Sequence, residues 1–346
     1  QVMRANLAVD RELPFGIVGT LEFIYSRNMS EILYQNLNLR ATGETGLGGR
    51  TLYKRDVSAS FTDVIYLTNS SQGSQFNVSL QLQKSFSDKS WLSAYYTYGE
   101  AKDVNSGTSS QAASNFVYNP IRFNVNDPEL TWSNYDVRHR IGAAISYTFN
   151  FLKNAPTSIG LFYGSRSGRP YSSTYNPSGS DANGDGSYGN DLIYVPASIN
   201  EVIMTDDKGV VLADQTTNWN NLNAYIEGDP ALLAARGTIV ARNASREPWY
   251  HRADFRVMQD IPIPRLDGHK VQISLDIMNL FNLFNSDWGT YKYVYYRGDA
   301  PLTYDGVDAG TGKPKMKFTK GANGNRYDMD QLLSRWQMQL GVRYIF

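Results

Sequence analysis

WQMQLGVRYIF, residues 336–346, carries a strict alternation to the last residue of the sequence. Met338, Leu340, Val342, Tyr344 and Phe346 share one face of an extended strand. Gln337, Gln339, Gly341 and Arg343 share the other, and Ile345 alone is out of step. Chain termini are ordinarily frayed and polar, so an apolar face kept to the end calls for something that anchors it. The same period of two recurs upstream. In QFNVSLQLQKSF, Phe76, Val78, Leu80 and Leu82 oppose Gln75, Asn77, Ser79, Gln81 and Gln83. In IGAAISYTFN, Ile141, Ala143, Ile145, Tyr147 and Phe149 oppose Gly142, Ala144, Ser146, Thr148 and Asn150. Val271, Ile273, Leu275 and Ile277 of KVQISLDI repeat the pattern, as do Ile17 to Tyr25 and Leu92 to Tyr98. This is β-structure with one apolar and one polar face.

Composition narrows the class. The 346 residues include 33 basic and 33 acidic ones, a balance that argues against nucleic-acid binding and against a polybasic lipid anchor. There is no cysteine, hence no disulfide framework and no thiolate metal site. The 24 tyrosines outnumber the 15 phenylalanines and 6 tryptophans, and tyrosine suits a surface that is apolar in the body and wet at the tip. No apolar run reaches the ~18 residues of a transmembrane helix, and no signal peptide opens the chain. Gln1 is not an initiator methionine, so the start reads as a cut.

A soluble sandwich and a membrane barrel share this alternation; the connections separate them. The patterning predicts strands over 2–13, 15–39, 62–86, 90–102, 134–150, 156–175, 248–263, 270–284 and 334–346. Short links (LPF near 14, SDK at 87–89, FLKNAP at 151–156, RLDGH at 265–269) alternate with long ones at 40–61, 103–133, 176–247 and 285–333. Short turns on one side and long loops on the other mark outer-membrane barrels, with the turns periplasmic and the loops extracellular. The expected fold is therefore all-β, an antiparallel transmembrane β-barrel segment of about nine strands. Strands such as 15–39 and 62–86 exceed the ~9–11 residues needed to cross and should project beyond the outer leaflet. In a closed barrel the last strand pairs with the first. That would order the terminus and set Phe346 at the periplasmic aromatic girdle.

VIYLTNSSQGSQFNVSLQLQKSF, LSAYYTYGEAKDVNSGTSS, YDVRHRIGAAISYTF, NGDGSYGNDLIYVP, LDIMNLFNLFN and LGVRYIF lie in that order along the chain. Together they resemble the C-terminal barrel portion of TonB-dependent outer-membrane receptors. The likeness is to the Bacteroidota-type receptors with a carboxypeptidase-regulatory-like N-terminal domain. The resemblance implies a parent barrel of about 22 strands, filled by a plug whose short segment contacts TonB. Nine is an odd count, whereas single-chain bacterial barrels have even ones, and no plug is recognisable. Residues 1–346 are thus expected to be the C-terminal part of one barrel domain, an open sheet when taken alone.

The remaining motifs are weighed individually. In DANGDGSYGNDL, Asp181, Asn183, Asp185 and Asp191 are candidate ligands of a structural calcium, since oxygen ligands alternate as in a calcium loop. Position twelve is Leu192 in place of the bidentate glutamate, and the alternative is an Asn/Asp/Gly-rich turn. Gly184, Gly186 and Gly189 match G-x-G-x-x-G by chance, because Asp185 lies in the cradle and no helical pattern follows. The stretch 219–237 is helical in pattern, with Asp229 as N-cap and Pro230 after it. Its apolar residues are expected to pack the loop, the alternative being a substrate-facing lid. His139, His251 and His269 show no metal spacing. Midplane members of Arg138, Arg140, Arg252, Asp254, Arg256 and Asp276 should point inward, because a charge on the lipid face costs about 2–4 kcal/mol. NLFNLFN breaks the alternation and reads as an interfacial aromatic band, with loop packing as the alternative.

These readings favour transport over catalysis, for which no convergent acid, base or nucleophile is located. The expected partners are outer-membrane lipid, the TonB complex through an N-terminal part, an extracellular substrate (a glycan, a peptide or a metal chelate) and a surface lipoprotein. An outer-membrane adhesin that transports nothing is the alternative, and a soluble carbohydrate-binding β-protein a third.

Overall fold

The alternation becomes one long antiparallel sheet. The computed structural model describes residues 1–152, 155–295, 298–320 and 324–346. Among these, nine strands pair in sequence order as a meander. They are β1 (Val2–Leu13), β2 (Ile17–Asn28), β3 (Ser74–Ser87), β4 (Ser90–Asp103) and β5 (His139–Leu152). The meander continues through β6 (Ala155–Arg166), β7 (Tyr250–Pro262), β8 (Lys270–Met278) and β9 (Gln337–Ile345). A two-residue strand, Thr131–Trp132, joins β4 off this path. The sheet is open among the described residues. β1 pairs with β2 alone and β9 with β8 alone, so the final strand takes its order from one neighbour and not from a first strand closing a ring.

Several strands end earlier than the alternation suggests. The stretch expected to run straight over 15–39 stops at Asn28 and bends at Met29–Ser30. Glu31–Asn36 then pairs with Ile65–Ser70 as a separate two-stranded ribbon. The chain leaves the sheet at Arg166 and Met278, not at 175 and 284, and β5 begins at His139, not at 134. Beyond these boundaries the chain pairs or packs outside the sheet: 31–36 with 65–70, 170–171 with 245–246, and 280–284 as a helical turn, so tertiary context overrides local pattern.

The described short links lie at one end of the sheet. Pro14–Gly16 joins β1 to β2, and Gly16 there takes a positive φ of 68°, which a residue without Cβ adopts freely. Asp88 and Lys89 join β3 to β4, and 263–269 join β7 to β8. The turn expected at 151–156 lies partly outside the described residues.

The long links meet at the other end and build a folded crown. Ser173–Tyr175 lies parallel to Asp299–Val307, which pairs with Pro314–Phe318, which pairs in turn with Ile203–Met204. Helices Gln215–Glu227 and Pro230–Ala234 occupy the predicted helical stretch as two pieces. The first starts earlier than expected, because Asp214 accepts the Thr217 amide proton at 2.9 Å. The second is capped as expected: Asp229 accepts from the Ala231 amide at 2.8 Å, and Pro230 sits in its first turn. Leu222, Ile226 and Leu232 from these helices pack with Tyr175, Leu192, Met204, Leu302 and Met316 in one buried cluster.

Charged pairs tie the crown to the sheet rim. Arg242 donates to Asp103, the last residue of β4, at 2.7 Å. Asp136 is buried ahead of β5 and pairs with Arg246, while Arg138 reaches it at 3.3 Å. Breaking such a buried pair by removing one partner costs about 3–5 kcal/mol.

Candidate functional site

The functional surface is the sheet itself, and the register decides what each face holds. Residues directly opposite one another in antiparallel pairing share a face. Leu13, Ile17, Lys84, Leu92, Ile145, Leu161, Phe255, Ile277 and Met338 form one continuous row across all nine strands. Rows on either side repeat its character: Val9, Leu21, Leu80, Tyr96 and Ile141 towards the crown, and Tyr147, Ile159, Val257, Leu275 and Leu340 towards the turns. Among the described residues nothing covers this face. Ile145 is 48 % exposed, and Leu340 and Val342 are 71 % and 72 % exposed. An apolar sheet of this extent is far beyond the patches that soluble monomers show to water.

Charges on the apolar face obey position. By register it carries Arg11 and Lys84 near the turn end, and Arg27, Glu100 and Lys102 near the crown. The middle of every strand is free of them on this side. Lys84 extends along Phe86, its ammonium 4.7 Å from the ring centroid, as a side chain does that keeps its stem in grease and its head in water.

The opposite face is polar and internally paired. Ser79 and Thr97 share a hydrogen bond of 2.9 Å, as do Thr148 and Ser158. Asp260 accepts from Lys270 at 2.5 Å and from Gln272 at 2.8 Å. Arg256 meets Asp276 at 3.1 Å and Arg252 meets Asp254 at 2.7 Å. The strand charges expected to point inward, Arg140 included, share this face by register. Arg138 lies just ahead of β5, where its guanidinium sits 3.8 Å above the Trp132 ring.

All three histidines lie on the apolar face, in aromatic belts at its two ends. Near the crown, Tyr96, His139, Trp249, His251 and Tyr163 stand in a column of near-parallel rings. Successive centroids are 6.1, 5.6, 6.0 and 6.4 Å apart. The tyrosine hydroxyls reach His139 Nδ1 at 2.8 Å and His251 Nδ1 at 2.9 Å. Near the turns, His269 Nδ1 lies 2.6 Å from the Tyr344 hydroxyl, and Phe346 stacks on both rings. Sequence reasoning set Phe346 in the periplasmic girdle and read NLFNLFN as an interfacial band, but found no metal role for the histidines and did not place them in the belts. The signal was present, because His139 and His251 occupy the apolar parity of their strands. NLFNLFN is a helical turn, Leu280–Phe284, not an end of strand; Phe281 rests edge-on against Tyr163 at 6.1 Å, within the crown-side belt.

The candidate calcium residues sit in the crown. Both Asp181 oxygens accept backbone amides, from Gly184 at 2.7 Å and Gly186 at 2.8 Å. Asn183 accepts from the Asp185 amide at 2.8 Å, and Asp185 accepts from Ser187 at 2.6 Å and Asn190 at 3.1 Å. Asp191 is fully buried against Arg50, and its other oxygen accepts from Ala182 at 2.7 Å. Burial pushes the Asp191 carboxyl up to about 6, although Arg50 pulls it down. These side-chain oxygens each accept at least one hydrogen bond from the protein. Among the described residues no cluster of three or more histidine or carboxylate side chains could hold a metal.

This geometry meets a matching comparison. Residues 1–288, which include β1 through β8, match the family model described as an outer membrane beta barrel domain. No curated protein and no solved structure gives a significant match. The open apolar face, the belts at its ends and the family match agree, and the chain belongs to the outer membrane beta barrel domain family, whose place is the outer membrane.

Proposed function

We propose that the chain is the C-terminal part of the barrel of a TonB-dependent receptor that takes up a bulky nutrient. The observation that carries this reading is asymmetry among the described residues: short turns at one end of a two-faced sheet, and at the other a crown with its own core. Long loops on one side are common to outer-membrane barrels; loops that fold together around a core of their own give a built surface on the side from which a substrate would arrive. The crown is then extracellular, the C-terminus periplasmic, and the polar face is one wall of a lumen. The unpaired edges of β1 and β9 support a larger ring, completed by further strands of the same polypeptide, with a plug inside it. Transport would follow from substrate capture by the crown and plug rearrangement driven through the TonB complex, with a surface lipoprotein as helper.

The test is uptake of a panel of labelled glycans, peptides and metal chelates by cells with and without the intact gene, and with and without TonB. Uptake of one member should vanish in both deletions. Uptake indifferent to TonB overturns the reading, and lost surface adhesion with unchanged uptake replaces it by an adhesin barrel.

A further inference from the structure

The crown-side end of the apolar face carries a cavity that the transport reading does not use. Trp249, His251, Phe281, Asp287, Trp288 and Thr290 are among the residues around a space of about 390 Å³. That volume lies within the ~300–1,000 Å³ of small-molecule sites.

The walls are fixed in advance. Asn279 adopts a left-handed conformation at φ 54° and turns the chain out of β8. Its backbone amide donates to Asp254 at 2.8 Å, and its side chain donates to the Gly289 carbonyl at 2.9 Å. Asn282 donates to the carbonyls of Ser286 at 2.8 Å and Trp288 at 3.0 Å, which holds the second wall against the first. The floor is the ring column: Trp249 stacks between His139 and His251. His251 Nδ1 is engaged by Tyr163 and Ser165, each at 2.9 Å, which leaves Nε2 as the other polar atom of the ring.

We infer that this cavity holds the sugar ring of a glycolipid from the surrounding leaflet, whose acyl chains lie along the apolar rows below. The argument is continuity with the membrane face. His251 shares its side of the sheet with Phe255 and Leu161, so whatever reaches the cavity has hydrocarbon beneath it. The edge of the Trp249 indole, whose faces are taken by His139 and His251, and the exposed Trp288 side chain give the space an aromatic border, while Asp287, Thr290 and His251 supply an acceptor, a hydroxyl and an imidazole for the hydroxyls of a sugar. A phospholipid headgroup does not present the several hydroxyls that Asp287, Thr290 and His251 could bind together. A free sugar gains nothing from the apolar rows. The inference rests on the outward-facing crown proposed above.

The test uses the intact receptor, extracted from outer membranes in mild detergent as wild type, Trp288→Ala, Trp288→Phe and Asp287→Asn. Native mass spectrometry counts co-purified lipooligosaccharide and phospholipid per protein. Trp288 and Asp287 are exposed, so these variants keep the fold, which heat-modifiable gel mobility checks. Wild type should retain lipooligosaccharide, Trp288→Ala should lose it at least fivefold with phospholipid unchanged, and Trp288→Phe should keep most of it. Equal retention in all variants overturns the inference, as does a parallel loss of phospholipid or displacement by the delipidated core oligosaccharide. Wild-type protein absent from the outer-membrane fraction would sink the parent reading as well; protein present there without glycolipid sinks this inference alone.

Discussion

Leu232 and Leu340 are the same side chain in opposite situations: one is wholly buried in the crown, the other 71 % exposed on β9. The crown folds as a soluble domain does, with its apolar residues in a centre and its buried carboxylates ion-paired or hydrogen-bonded. The sheet is built the other way round, with apolar residues on an uncovered face and polar ones paired across its reverse. One chain therefore obeys two solvents, and the boundary between them is the rim where Asp103 and Asp136 take up Arg242 and Arg246. A negative mean hydropathy conceals this, because half of each strand is polar and the loops carry many polar residues around their apolar centre.

The sharpest way to break the comparison is inside the crown. Asp191→Ala leaves Arg50 as a buried cation without its partner, at a cost of about 3–5 kcal/mol. Hydrogen exchange should accelerate in 173–195 and 299–318 while β2 to β8 keep their protection. Equal acceleration in the sheet would show that the two regions are a single cooperative unit.

A matched pair of leucine truncations comes next. Leu232→Ala should destabilise the crown by about 2–5 kcal/mol, since a fully buried leucine leaves a cavity. Leu340→Ala should change thermal stability in detergent far less, because mobile hydrocarbon closes the gap. Similar losses at both sites would mean that β9 is covered by protein in its working state.

Smaller again is a charge placed on each face in turn. Ile145→Arg puts a guanidinium in the middle of the apolar rows and should cost about 2–4 kcal/mol in bilayers. Ser146→Arg, one residue on and facing the polar side, should cost much less. Folding titrations in lipid vesicles measure both, and the order reversed would invert the assignment of faces.

The sheet was legible because its information is local: a period of two, read strand by strand, gives nine segments and the side of every residue. Boundaries slipped where Asn28 and Arg166 hand over to pairings made outside the sheet. The crown was not legible, because Ser173–Tyr175 finds Asp299–Val307 across more than a hundred residues, and Arg50 finds Asp191 at a separation of 141. No local pattern encodes a parallel pairing of three residues or a single long-range ion pair. The candidate calcium residues show the same limit. Their spacing is compatible with a cation or with a turn that caps its own amides, and only the positions of Gly184, Gly186 and Arg50 say which hydrogen bonds exist. The histidines are the instructive case, since strand parity alone could have assigned them to the lipid side.

The smallest effect tests whether the crown titrates like an ordinary soluble domain. Asp214 caps the helix Gln215–Glu227, and hydrogen bonds from the Thr217 backbone and side chain hold its carboxyl below the usual carboxylate value. A carboxyl whose folded pKa is depressed stabilises the fold above its unfolded value, and that contribution disappears as pH falls through the folded one. The cap should therefore be intact at neutral pH and fail only below the ordinary carboxylate range, with a modest effect because the group is exposed and screened. The Thr217 amide chemical shift, followed from pH 7 down in detergent-solubilised protein, should titrate with that lowered midpoint. Asp214→Asn should abolish the titration and leave the helix formed, since asparagine also caps. A midpoint at or above the normal carboxylate value would mean that the cap is unmade in solution, and that the helix owes its start to Leu222 and Ile226 in the core rather than to Asp214.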